Sequence, residues 1–429
     1  MTPGITAEPT WFGHPRGLTV LFLTNMWEQF SYYGMRALLV YYMTKQLMMP
    51  QESASLVYGA YTACAYFTPI VGGVIADRFL GKRNAILIGG SVMAAGHFMM
   101  AFEPLFYPAL VTIALGNGLF LPSLPSQIGD LYAPGDARAG SAYNVYYVGV
   151  NIGGFLAPLI CGTLGELYGW HWGFGAAGIG MLGGLAFYIW GQRYLPSQSP
   201  KQFPRQPIAR SAAPRLRFPR KTALTLLAIA LSVTVFRGAY EQVGNTLALW
   251  ADVGVDRHVG SAIIPMTWFQ SLNPLLVMAM TPPLLAWWQR RTAAGAVERP
   301  ARRMALGAAI VAAAYLMLAG VESIGGPAHW LWLVLFFVIL TLGELHILPT
   351  GLGLFARLAP KGLGATTVAA WFLASFAGSI AAGLVGTLWS RTTHSGFFVL
   401  LALIAGLAAA MLLLIEHTSS ATEKLSETG

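Results

Sequence analysis

Apolar residues along this chain come in long unbroken runs rather than in alternation or in narrow helical stripes. They fill positions 18–47, 54–75, 84–101, 107–128, 142–164 and 172–190, and after a break 223–251, 263–288, 304–321, 331–355, 363–388 and 396–414. A helix of about 20 apolar residues spans the hydrocarbon of a bilayer, so each run predicts one membrane-spanning helix. The break at 195–221 holds Pro196, Pro200, Pro204, Pro207, Pro214 and Pro219 together with Lys201, Arg205, Arg210, Arg215, Arg217, Arg220 and Lys221, and no acid. That composition predicts an extended, solvated linker. The expected fold is an all-α membrane protein: twelve transmembrane helices in two six-helix bundles, 1–193 and 222–416, with a cytoplasmic linker at 194–221 and a tail at 417–429.

One run is interrupted by polar groups. Within 22–43 stand Asn25, Glu28, Gln29, Tyr32 and Arg36, spaced by three or four residues so that they fall on or near one helix face. Charges inside a span are expensive, and those that persist line aqueous paths or binding sites. The other reading is a single ion pair locking two helices together.

Composition supports the membrane reading. Of 429 residues, 55% are hydrophobic and 10% charged, against roughly 25% charged in soluble domains. Trp and Tyr are plentiful, as aromatic belts require, and abundant glycine suits close helix approach in lipid. The net charge of +9 is confined to loops rather than forming a nucleic-acid surface. Lys82 and Arg83, the linker, the 290–303 connection, and Arg357 with Lys361 fall on one side, whereas Glu103, Glu166, Asp252, Asp256 and Glu322 fall on the other. The positive-inside rule then puts both termini in the cytoplasm, and the expected location is a bacterial inner membrane. Positions 1–17 lack the pattern of a cleavable signal peptide. Cys64 and Cys161 lie in apolar stretches, so neither a disulfide framework nor a thiolate metal site is indicated. No G-x-S-x-G or H-E-x-x-H occurs, and His258, His329 and His394 are scattered over outer loops. Neither an enzyme nor a cofactor is expected. Pro69, Pro122, Pro158, Pro274 and Pro349 mark possible kinks.

Gly73-Val-Ile-Ala-Asp77-Arg78-Phe-Leu-Gly81-Lys82-Arg83 resembles the loop after the second helix of the major facilitator superfamily, with one extra residue. There Asp77 and Arg78 would form charged contacts at the inner face, in a gating role. A narrower resemblance runs along nearly the whole chain. Asn25-Met-Trp-Glu28-Gln29-Phe30-Ser31-Tyr32-Tyr33-Gly34 is similar to the first-helix E-x-x-E-R-F-x-Y-Y-G of the proton-dependent oligopeptide transporter family. The stretch 143–158 resembles that family's fifth-helix signature, and Tyr240-Glu241-Gln242-Val-Gly244 its E-Q-x-G. Trp268 to Pro274, Gly343-Glu344-Leu345 and Trp371 to Ser375 are similar to its eighth, tenth and eleventh helices. The resemblance implies import of di- and tripeptides by proton symport through alternating access, with protons as the coupling ion and the site near the midplane between the halves. It implies substrate contacts from Tyr32, Tyr33, Arg36, Tyr66, Asn151, Asn273, Glu344, Trp371 and Ser375, and proton coupling or gating by Asn25, Glu28, Gln29, Arg36 and Glu241. Peptides, protons and membrane lipid are the expected partners, and the expected unit is a monomer.

The chemistry is sound without the family. A zwitterionic peptide needs a cation for its carboxylate and an anion for its ammonium; Arg36 offers the first and Glu344 the second. A salt bridge from Arg36 to Glu241 would tie the halves together until substrate or a proton breaks it. Three charges of the family pattern are absent, however: Asn25 and Gln29 stand for a Glu and an Arg, and Leu121 for a Lys in G-N-G-L-F-K-P. A desolvated carboxyl group without an opposite charge favours its neutral form. Glu28 is then either a proton carrier or a neutral hydrogen-bonding group, with coupling left to Glu241 or lost. The alternative function is a proton-independent facilitator, or a transporter of another small carboxylate-bearing solute.

Overall fold

The computed structural model describes residues 13–133, 135–136, 138–196, 220–297, 299–359 and 363–427. The proline-rich linker over 197–219, Lys361, the leader positions 1–12 and the tail's end at 428–429 lie outside the described residues. Helices occupy the apolar runs in order: α1 (Arg16–Tyr41), α2 (Gln51–Ile75), α3 (Lys82–Met99), α4 (Phe106–Ser126), α5 (Arg138–Ala157), short α6 (Thr163–Tyr168), α7 (Trp170–Gly191), α8 (Arg220–Tyr240), short α9 (Thr246–Val253), α10 (Leu272–Ala293), α11 (Pro300–Ile324), α12 (Trp330–Leu358), α13 (Gly364–Gly386) and α14 (His394–Glu427). Among the described residues nine helical stretches are long and apolar enough to cross a membrane. The other long helices, α1, α3 and α10, carry the polar stripe of 25–36, the pair Lys82–Arg83 and the pair Arg290–Arg291 respectively. Among the described residues strand structure is confined to two-residue pairs, Val255–Asp256 with Ala328–His329 and His258–Val259 with Ala262–Ile263.

The helices are broken where the backbone must turn. α2 passes into a π-turn at Ala76–Leu80 and ends on Gly81 at φ 75°, a left-handed conformation that glycine adopts without a Cβ clash. α8 tightens into a 3-10 turn at Glu241–Gly244 before α9 resumes. Backbone groups freed there are met by Gln242, whose Nε2 donates to the carbonyls of Gly238 and Ala382.

The chain forms two compact units, Met1–Met35 with Thr68–Arg217, and Arg36–Phe67 with Phe218–Gly429. In the first, α3 packs against α4 and α7 around Leu21, Ile86, Met93, Phe120, Met181 and Tyr188. In the second, α11 lies against α12 and α14, and α8 against α13 and α14, around Phe236, Trp250, Tyr315, Phe336 and Phe397. This unit also includes the end of α1 and the start of α2. Tyr41 donates to the Ala248 carbonyl at 2.7 Å, and Ser55 to Asn245 Oδ1 at 3.0 Å.

Each unit contains helix pairs that cross glycine on glycine. A Cβ at Gly89 would stand 2.7 Å from the Gly116 carbonyl oxygen, and one at Gly116 2.6 Å from that of Gly89. In the second unit Gly307 and Gly343 do the same, at 2.5 Å and 2.6 Å. Gly343→Ala is therefore expected to cost about 1–3 kcal/mol through forced separation of α11 and α12. Gly320→Ala, with nothing within 4 Å of the new Cβ, should be neutral or gain up to about 1 kcal/mol in helix propensity. Thermal unfolding in detergent measures both; equal midpoints would mean that backbone contact does not set the crossing.

Candidate functional site

Two charges sit one helical turn apart in the apolar α8, and both are buried: Arg237 is 5% exposed and Glu241 2%. Removing charges from water costs several kcal/mol per ion unless they are paired well, so the pairing decides what this place can do. Glu241 is shared by two guanidiniums. Its Oε2 accepts from Arg36 Nη2 at 2.8 Å, and its Oε1 from Arg237 Nη1 at 2.6 Å. Arg36 also donates from Nε to the Tyr58 hydroxyl at 2.8 Å. Arg237 Nη1 reaches the Tyr66 hydroxyl at 3.0 Å, and its guanidinium carbon lies 4.6 Å from the centre of that ring, within cation–π range.

The second buried carboxylate is Glu344 on α12. It accepts from Asn273 Nδ2 at 2.6 Å, and Asn273 also donates to Thr341 Oγ1 at 3.1 Å. Tyr240 donates to Glu344 as well, and the charges of Arg237 and Glu241 both act on it. Arg36, Tyr66, Glu241, Asn273 and Glu344 thus belong to one cluster strung along α8. Trp371 of α13 is buried edge-on to Phe355, with ring centres 5.5 Å apart. Ser375 uses its hydroxyl within α13, donating to the Trp371 carbonyl at 3.2 Å.

Toward the α1–α2 corner the contacts change character. Lys45 meets Asp252 at 2.6 Å, Gln51 donates to the Gly386 carbonyl at 2.9 Å, and Arg391 meets Glu52 at 2.9 Å. Neutral groups and partly exposed ion pairs, rather than buried charges, anchor this end.

In the first unit, Glu28 is 1% exposed and its Oε2 accepts from Gln29 Nε2 at 2.7 Å. Its Oε1 has no partner among the described residues. Asn25 donates to the Tyr146 carbonyl at 3.3 Å, and Asn151 to that of Tyr147 at 2.9 Å. Tyr32 and Tyr33 meet edge to face at 5.4 Å. Asp77 and Arg78 are exposed, and neither enters an ion pair among the described residues; Lys82 pairs with Asp130 at 2.7 Å instead.

Sequence reasoning missed Arg237, Tyr58 and Tyr240. Arg237 carried the same signal that marked the first helix, a charge inside a span, and lies one turn before the Glu241 motif.

An all-α membrane protein with buried, paired charges on broken helices is the architecture of a major facilitator transporter. The sequence profile of the POT family matches residues 83–218 and 214–401, and the chain belongs to that family, one of transporters rather than enzymes. It is 31% identical to the peptide transporter YePEPT of Yersinia enterocolitica over 90% of this chain and 89% of that one. It is 30% identical to a di-/tripeptide transporter of Lactococcus lactis subsp. cremoris, covering 95% and 96%. A crystal structure of a peptide transporter of the family in complex with sulfate superposes with a TM-score of 0.86 at 28% identity, covering 95% of this chain and 96% of that one.

Glu241→Ala would leave the buried Arg237 and the partly buried Arg36 without their carboxylate and should destabilise the protein by about 3–5 kcal/mol. Glu52→Ala, at a pair whose side chains are 39% and 63% exposed, should leave the unfolding midpoint nearly unchanged. Unfolding midpoints in detergent separate the two; equal losses would show that Glu241 bears no special burden.

Proposed function

We propose that this protein is a secondary active transporter importing di- and tripeptides by proton symport through alternating access. The observation that carries the reading is the Arg36–Glu241 pair, a buried carboxylate and a partly buried guanidinium 2.8 Å apart, in the same cluster as Glu344. Cationic and anionic ends on one scaffold complement the carboxylate and ammonium of a zwitterion. The pair itself is a tie that a competing carboxylate or a proton would release, giving substrate the differential affinity for two states that a switch requires. The relatives from Yersinia and Lactococcus, named as peptide transporters, support the substrate class.

In this reading the halves 1–193 and 222–416 move about the site, joined by the 194–221 linker, with Tyr32, Tyr33, Asn151, Trp371 and Ser375 completing the substrate contacts. Glu28, held only by Gln29, receives the coupling proton. The protein works as a monomer in a bacterial inner membrane with both termini cytoplasmic, and needs no cofactor. The absence of a cation beside Glu28 among the described residues favours one competitor, a facilitator without proton coupling.

Uptake of labelled dialanine into proteoliposomes tests the reading. Wild type should accumulate dialanine above the external concentration only under an inward proton gradient. Glu28→Gln should keep downhill uptake and lose accumulation, and Arg36→Ala should lower uptake about tenfold or more. Proton-insensitive downhill uptake by wild type would make the protein a facilitator; no dialanine uptake would sink the peptide reading and leave another carboxylate-bearing solute.

A further inference from the structure

A guanidinium carries five N–H donors in a rigid planar fork. In Arg237 only Nη1 is engaged, by Glu241 and the Tyr66 hydroxyl. Nε is buried without a partner, and no hydrogen bond from Nη2 exists among the described residues. Nε–H and one Nη2–H leave the group on the same side and form the edge that takes both oxygens of a carboxylate.

That edge is held in place. The ring of Tyr66 covers one face of the guanidinium at 4.6 Å. The stem lies against α13 so closely that a Cβ at Gly378 would stand 2.5 Å from Arg237 Cβ. Arg237 and Glu241 share α8 as an i,i+4 pair, so the fork keeps its aim whatever α1 does. Arg36, by contrast, uses Nε on Tyr58 and Nη2 on Glu241. Two guanidiniums on one carboxylate leave this end of the cluster with one excess positive charge, while Glu344 at the other end is hydrogen-bonded by the neutral Asn273 and Tyr240.

We propose that Arg237 is a further residue that receives the substrate's carboxylate, its Nε/Nη2 edge forming a bidentate seat beside the Arg36–Glu241 pair. The peptide reading supplies only the identity of the molecule bearing that carboxylate; the seat itself is defined by the free edge.

Binding to the purified full-length protein tests this with dialanine, its C-terminal amide, and N-acetylalanine, which keeps the carboxylate and lacks the ammonium. Wild type should prefer dialanine to the amide. Arg237→Gln should lower affinity for dialanine about tenfold or more and leave the amide unchanged, erasing the preference. Arg237→Lys, which keeps a charge for Glu241 but has no fork, guards against misfolding and should also lose most of the preference. Equal weakening of both dipeptides by Arg237→Gln and Arg237→Lys would reduce Arg237 to a structural prop, and a preference unchanged in both would overturn the assignment outright. If wild type binds N-acetylalanine but neither dipeptide, and Arg237→Gln loses that binding, the seat stands and the peptide reading falls. Failure of wild type to bind any of the carboxylates overturns both.

Discussion

The arrangement at this centre depends on one carboxylate serving two guanidiniums. Arg36 and Arg237 each take one oxygen of Glu241, which offsets the cost of placing charges in an apolar interior. The two partners are not equivalent. Arg237 stands one turn before Glu241 along the chain and is 5% exposed, whereas Arg36 comes from α1 and its side chain is 18% exposed.

Around Glu241 the polar contacts are graded. The break at Glu241–Gly244 turns Gln242 inward to meet backbone carbonyls. Asn245 then accepts from Ser55, and beyond it come the partly exposed pairs of Lys45 with Asp252 and Glu52 with Arg391. Exposed pairs of that kind contribute little to stability.

Much of this was legible in the sequence. Apolar runs located the helices, because hydrocarbon tolerates little else, and a stripe of polar residues at helical spacing singled out Arg36 and Glu28. Motif order pointed to the family, and Glu241, Asn273 and Glu344 stand in one cluster. What escaped was partnership. Arg237 lay one turn before the matched motif, in a run read as uniformly apolar, although a charge there needed a partner as much as Arg36 did. Tyr58 and Tyr240 look like any other span tyrosines until the fold brings their hydroxyls to Arg36 and Glu344. Spacing within one helix is written in the sequence; which side chain stands across from it on another helix is not.

The paired glycines carry a mechanical consequence. Where Gly89 faces Gly116 and Gly307 faces Gly343, backbone lies on backbone with no room for a methyl group. Neither lipid nor water fits into such a crossing, and sliding one helix along its neighbour would drive the side chains above and below into the opposing main chain. Each pair, α3 with α4 and α11 with α12, behaves as a single welded strut. α8, by contrast, is interrupted at Glu241–Gly244, beside the charged cluster.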